Sequence, residues 1–101
     1  MSRPTLEIHP EAIEEARAAR QWYHEHSPAA ADAFVAELDA AIERILDAPD
    51  RFPVYLAGTR RYLMHRFPYI VVYHQVRSTV QVIAVAHGKR KPGYWKSRSK
   101  E

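Results

Sequence analysis

Residues 69–87, YIVVYHQVRSTVQVIAVAH, decide the fold. Ile70–Tyr73 and Val82–Ala86 are nearly continuous apolar runs, the pattern of central strands that are mostly covered. Between them Arg77-Ser78 leaves room only for a tight reversal. Two antiparallel strands are therefore predicted, at about 69–76 and 79–87. Upstream, Pro68 sets off RRYLMHR, a third strand at about 60–66. Its alternation puts Arg61, Leu63 and His65 on one face and Arg60, Tyr62, Met64 and Arg66 on the other. Charge on both faces suits an edge strand.

Before this meander the hydrophobic period changes. Ala12, Ala16, Ala19 and Tyr23, with Ile13 beside them, recur at helical spacing over residues 10–26. Pro10 fits a first helical position, and Glu11, Glu14 and Glu15 complement the helix dipole. Ser27-Pro28 repeats the start signal, and Phe34, Leu38, Ala41, Ile42 and Ile45 stripe a second helix at about 28–48, closed by Pro49. So short a link makes the two helices an antiparallel hairpin. Thr5–His9 alternates as a short opening strand, and GKRKPGYWKSRSKE forms a turn and a short C-terminal tail. The expected architecture is α+β, in the order β-α-α-β-β-β, with helices on one face of the sheet and the other face partly open.

A chain of 101 residues holds a single domain, expected to span 1–101, and one modest core. It has no cysteine, so disulfides, thiolate nucleophiles and Cys-based metal sites are out of reach. The opening MSRPTLEIHPE has no apolar leader segment and no run is long enough to span a membrane, so a cytoplasmic location is expected. The net charge of +3 hides a division. Residues 1–50 carry four arginines against eleven acids, while residues 51–101 carry eleven Lys or Arg against Glu101 alone. A basic half of that kind attracts nucleic acid or an acidic protein segment.

Most of the candidate residues lie in that half. His87-Gly88-Lys89-Arg90-Lys91 places a histidine and three cations at a strand end, suited to a phosphate or carboxylate, with His87 as a proton carrier; it would equally serve as a solubilising turn. Arg60, Arg61, His65 and Arg66 form a second basic cluster. Tyr94 and Trp95 sit among Arg90, Lys91, Lys96 and Arg98, either to stack on a partner or to fold back over the core. His24 and His26 do not share a helical face, and His65 and His74, on neighbouring strands, have no carboxylate nearby in sequence, so no metal or other cofactor is expected. A Gly-rich phosphate loop, a Ser-His-Asp pattern and paired carboxylates in the basic half are all missing.

The order of these elements, the chain length and the ending VIAVAHGKRKPGYW resemble the RelE/ParE superfamily of toxins from type II toxin–antitoxin (plasmid stabilisation) modules, over nearly the whole chain. The resemblance implies one of two activities. RelE-like members are ribosome-dependent mRNA endonucleases; ParE-like members bind and poison DNA gyrase. Where the nucleases carry arginine, this chain has Ile70, and Tyr62 and Met64 stand where their lysines are expected, which points to the ParE-like branch. His87-Gly88 and Arg90 also match its ending, as does the long helical hairpin. Were the chain a nuclease, His87, Arg90 and Tyr94 would be its site. A third reading is a non-toxic relative that only binds its antitoxin. In each case the implied partner is a cognate antitoxin with an acidic or disordered C-terminal segment, and Arg61, Arg66, His87, Lys89 and Arg90 are the expected contacts.

Overall fold

The structure of the protein, a computed structural model, describes residues 3–100; Glu101, the lone acid of the basic half, lies outside them. Strand β1 (Thr5–Ile8) leads into helix α1 (Pro10–His26) and helix α2 (Pro28–Asp47). Strands β2 (Arg60–Leu63), β3 (Tyr69–Val76) and β4 (Thr79–His87) follow, and a 3₁₀ turn, Lys96–Lys100, closes the described residues. The sheet order is β1-β4-β3-β2, with β2-β3-β4 an antiparallel meander and β1 parallel to β4 at the far edge. This is the expected α+β architecture.

Local chemistry explains the boundaries. The opening strand stops at Ile8, one residue earlier than expected, because His9 becomes the cap of α1: its Nδ1 accepts the Glu11 N–H at 3.1 Å. Ser27 caps α2, its hydroxyl accepting from the Ala30 N–H at 3.3 Å. Strand β2 ends at Leu63, short of the expected residue 66, because the chain turns there. The Met64 N–H reaches Tyr69 O at 3.0 Å, and the Glu37 carboxylate on α2 takes the N–H groups of His65 and Arg66. A side chain on a helix thus replaces the strand partner those amides would have had.

The α hairpin covers one face of the sheet. Ala12, Ala19, Phe34, Leu38, Ala41 and Ile45 pack on Tyr62, Met64, Val71, Tyr73, Val80, Val82 and Val85. Tyr23, Phe34, Phe67 and Tyr69 extend this core as an aromatic cluster, with ring centroids 4.9–5.5 Å apart. Within β4 a bulge changes the parity. Val72 faces Ala84 and Tyr73 faces Val82, leaving Ile83 as the extra residue. Ile83 and Ala84 therefore both join the outer face, while Val82 and Val85 stay with the helices.

That outer face is partly open, as expected: Leu63 on β2 is 66% exposed, whereas the part along β4 is covered. Trp95, only 1% exposed, folds back over Val72, Ile83, Ala84 and Ala86, with Tyr55 5.9 Å from its ring. Of the two roles the sequence left for Trp95, the structure shows packing. Small side chains on β4 make the seat, and a large indole fills it.

Candidate partner groove and its basic rim

Between α1 and the end of the β3–β4 pair lies a groove of about 550 Å³. Ala18, Ala19, Trp22 and Tyr23 form its helical wall. Pro68, Tyr69, Val85 and His87 form the wall on the sheet, and Glu15, Lys89 and Arg90 complete its lining. The small alanines give the groove its depth. Trp22 is 55% exposed, stacked on His26 at 4.1 Å and edge-on to Tyr23 at 5.1 Å. An indole so exposed on the wall of an apolar cleft marks a surface made for contact.

The edge of β4 explains what surrounds the groove. Strand β1 pairs with β4 only as far as Val82, so beyond that point other groups serve the strand's outer edge. The Val85 N–H donates to Glu15 Oε1 at 3.0 Å, and Ile83 O accepts from Arg98 Nη1 at 3.2 Å. Glu15 is the hub. Its carboxylate also accepts from Tyr94 OH at 2.6 Å, from Arg98 Nη1 and Nη2, both at 3.0 Å, and from Arg90 Nη1 at 3.4 Å. Both partners of the central ion pair are largely enclosed, Arg98 at 9% and Glu15 at 13% exposure.

The electrostatics follow from this geometry. Burial pushes the Tyr94 hydroxyl well above its ordinary range, and its hydrogen bond to Glu15 pushes in the same direction. Burial opposes the charge on Arg98, but the hydrogen bond to Glu15 and that group's charge more than offset it, so the guanidinium stays protonated. The Arg90 guanidinium carbon lies over the Tyr94 ring, 3.6 Å from its centroid, and its 53% exposed side chain holds the longest bond to Glu15. His87 accepts the Lys89 N–H on Nδ1 at 3.0 Å and meets Tyr69 edge-on at 5.0 Å.

Of the residues expected at a site, the structure brings His87, Lys89 and Arg90 together at the groove. Tyr94 stands behind Arg90. Arg61 lies elsewhere, over the Tyr55 ring at 5.0 Å beside the outer cluster, and Arg66 sits beside α2, 3.9 Å from Glu37. His65 and His74 lie beyond opposite ends of the β2–β3 pairing, and His74 bonds Gln81 at 2.7 Å. Among the described residues no three His, Asp or Glu side chains gather to hold a metal, and no helix is long and apolar enough to cross a membrane.

Sequence reasoning missed Glu15 and Arg98. A signal for Glu15 was present: it follows Ala12 by three residues and precedes Ala19 by four, so it shares their buried face. An acid in that stripe requires a donor, and none of its neighbours one turn away on α1 (Glu11, Ala12, Ala18 and Ala19) supplies one.

The solved structure "Chromosomal ParDE TA system from P. aeruginosa" includes a chain that superposes with a TM-score of 0.75 at 15% identity, over 84% of this chain and 96% of that one. That similarity establishes the fold. No curated protein sequence matches the chain. The family model described as "ParE toxin of type II toxin-antitoxin system, parDE" matches residues 6–92, a span that holds the hairpin, all of the sheet but Thr5, and the groove lining. The chain belongs to the ParE toxin family of type II toxin–antitoxin systems.

Proposed function

We propose that this protein acts by binding DNA gyrase, that it does not cut RNA, and that a cognate antitoxin neutralises it by laying an acidic segment in the α1/β4 groove. The observation that carries the reading is the Glu15 carboxylate. Of the three residues that would make a nuclease site, Arg90 and Tyr94 both bond to it, and His87 is pinned on one nitrogen by the Lys89 amide. In-line cleavage needs cations free to take up charge at the phosphate, and removing one such donor typically costs about 3 kcal/mol in the transition state. Ile70, where a nuclease would carry arginine, is apolar and packs against the outer cluster instead. Trp95 occupies that face of the sheet.

The groove supports the second part of the reading. Its apolar walls fit large aliphatic or aromatic side chains. Lys89 and the outer edge of Arg90 offer cations to carboxylates that follow them. A disordered acidic chain would be attracted by the basic half and would order on docking, by strand addition or as a helix. His87, Lys89 and Arg90 are the contacts we assign there; Arg61 and Arg66 lie outside the groove and reach only a segment that continues past it.

Primer extension on an mRNA incubated with the protein in a translating bacterial extract tests the reading. An intact message is expected. Ribosome-dependent breaks that vanish with Arg90→Ala would overturn it in favour of cleavage.

A further inference from the structure

Five donor contacts from one part of the chain meet a single carboxylate from another. The Val85 amide, the Tyr94 hydroxyl, two nitrogens of Arg98 and one of Arg90 all come from β4 and the tail, and they close on the two oxygens of Glu15. Arg98 is further steadied by Ile83 O at 3.2 Å, and both guanidiniums contact the Tyr94 ring, Arg90 at 3.6 Å and Arg98 at 5.2 Å from its centroid. The other acid within reach, Glu11, touches Arg98 at 3.4 Å from an exposed position. Without Glu15, these donors would surround a space with two positive charges and one peripheral negative one. Such an array of backbone, hydroxyl and guanidinium donors is an anion receptor.

We propose that β4 and the tail build an oxyanion site, and that α1 fills it in cis with Glu15. The ligand it would accept is a monoanion with two acceptor oxygens, a carboxylate or the non-bridging pair of a phosphodiester. In the native chain the site is closed, so Arg98, the Tyr94 hydroxyl and the Nη1 edge of Arg90 are withheld from external anions by a covalently attached competitor, while the rest of the Arg90 guanidinium still faces the groove. Emptying it requires only that the internal carboxylate be removed. The site is made by this cluster alone, whichever cellular target the protein has.

The test is rescue by the excised atoms. Glu15→Ala keeps Cβ and deletes a fragment matched by acetate. Thermal unfolding of Glu15→Ala is followed against acetate, against dimethyl phosphate, and against chloride at equal ionic strength. The expected result is a saturable rise in midpoint of about 5 °C with acetate, exceeding that with chloride. Wild type, with its site occupied, should show no difference between the salts. Glu15→Ala/Arg98→Met should lose the rescue. Rescue by both oxyanions supports the full class, and rescue by acetate alone narrows the ligand to a carboxylate. Equal effects of acetate and chloride overturn the proposal. If Glu15→Ala is unfolded in chloride, acetate must refold it, as read by circular dichroism; a variant that stays unfolded overturns the proposal equally.

Discussion

Glu15 and Trp95 hold the end of the chain in place, and their roles separate energetically from those of the surface residues around them. Deleting one member of an enclosed ion pair strands the other, so Glu15→Ala should destabilise by about 3–5 kcal/mol in chemical denaturation. The Arg3–Glu43 pair has more than 40% exposure on each side chain, and Glu43→Ala should leave the unfolding midpoint nearly unchanged. Trp95→Ala empties the outer seat and should cost about 3–5 kcal/mol. Tyr73 provides a pH test. Burial raises its pKa to about 12, and its hydroxyl donates to Pro49 O at 2.6 Å. The unfolded chain therefore loses this proton first, near pH 10. The stability Tyr73 contributes is present below that pH and is lost as pH rises towards 12. Tyr73→Phe should flatten that part of the stability–pH curve; an unchanged slope would remove Tyr73 as its cause. At this scale the sequence was least legible. Glu15 looked like one of three acids serving the helix dipole, because its partners lie some 70–83 positions away.

Elements were far more legible, because period and punctuation are local properties. The two helices and the β3–β4 pair follow directly from their stripes, prolines and turn. What the pattern did not carry was set by partners distant in sequence. β2 is short because Glu37 on α2 captures the amides of His65 and Arg66. The β4 part of the outer face is covered because a bulge places Ile83 and Ala84 together beneath Trp95. The place of β1 beside β4 likewise depends on the hairpin crossing the sheet, and four residues of alternation do not encode it. The groove itself belongs to this scale, since it exists only where α1 passes the end of β4. Trp22→Ala should leave stability within about 0.5 kcal/mol, because the indole is mostly outside the core. It should weaken binding of an antitoxin segment at least tenfold, about 1.4 kcal/mol, by calorimetry. Unchanged affinity would move the partner off the groove.

Across the whole molecule, the charge division is partly cancelled by folding. Glu11 and Glu15 from the acidic half pair with Arg98 and Arg90, and Glu37 pairs with Arg66. The basic rim that remains is narrower than a count of residues suggests, and Lys89 and the exposed side of Arg90 are its face towards the groove. Capture of an acidic segment should still be steered by charge, with the association rate falling as salt rises while the dissociation rate changes little. The central claim is that this surface binds and does not cut, and gyrase tests it most directly. Purified protein is added to DNA gyrase and relaxed plasmid, with ATP. The account predicts loss of supercoiling in proportion to the protein added and restored by a cognate antitoxin. Undiminished supercoiling, at protein concentrations that arrest growth in cells, would contradict it.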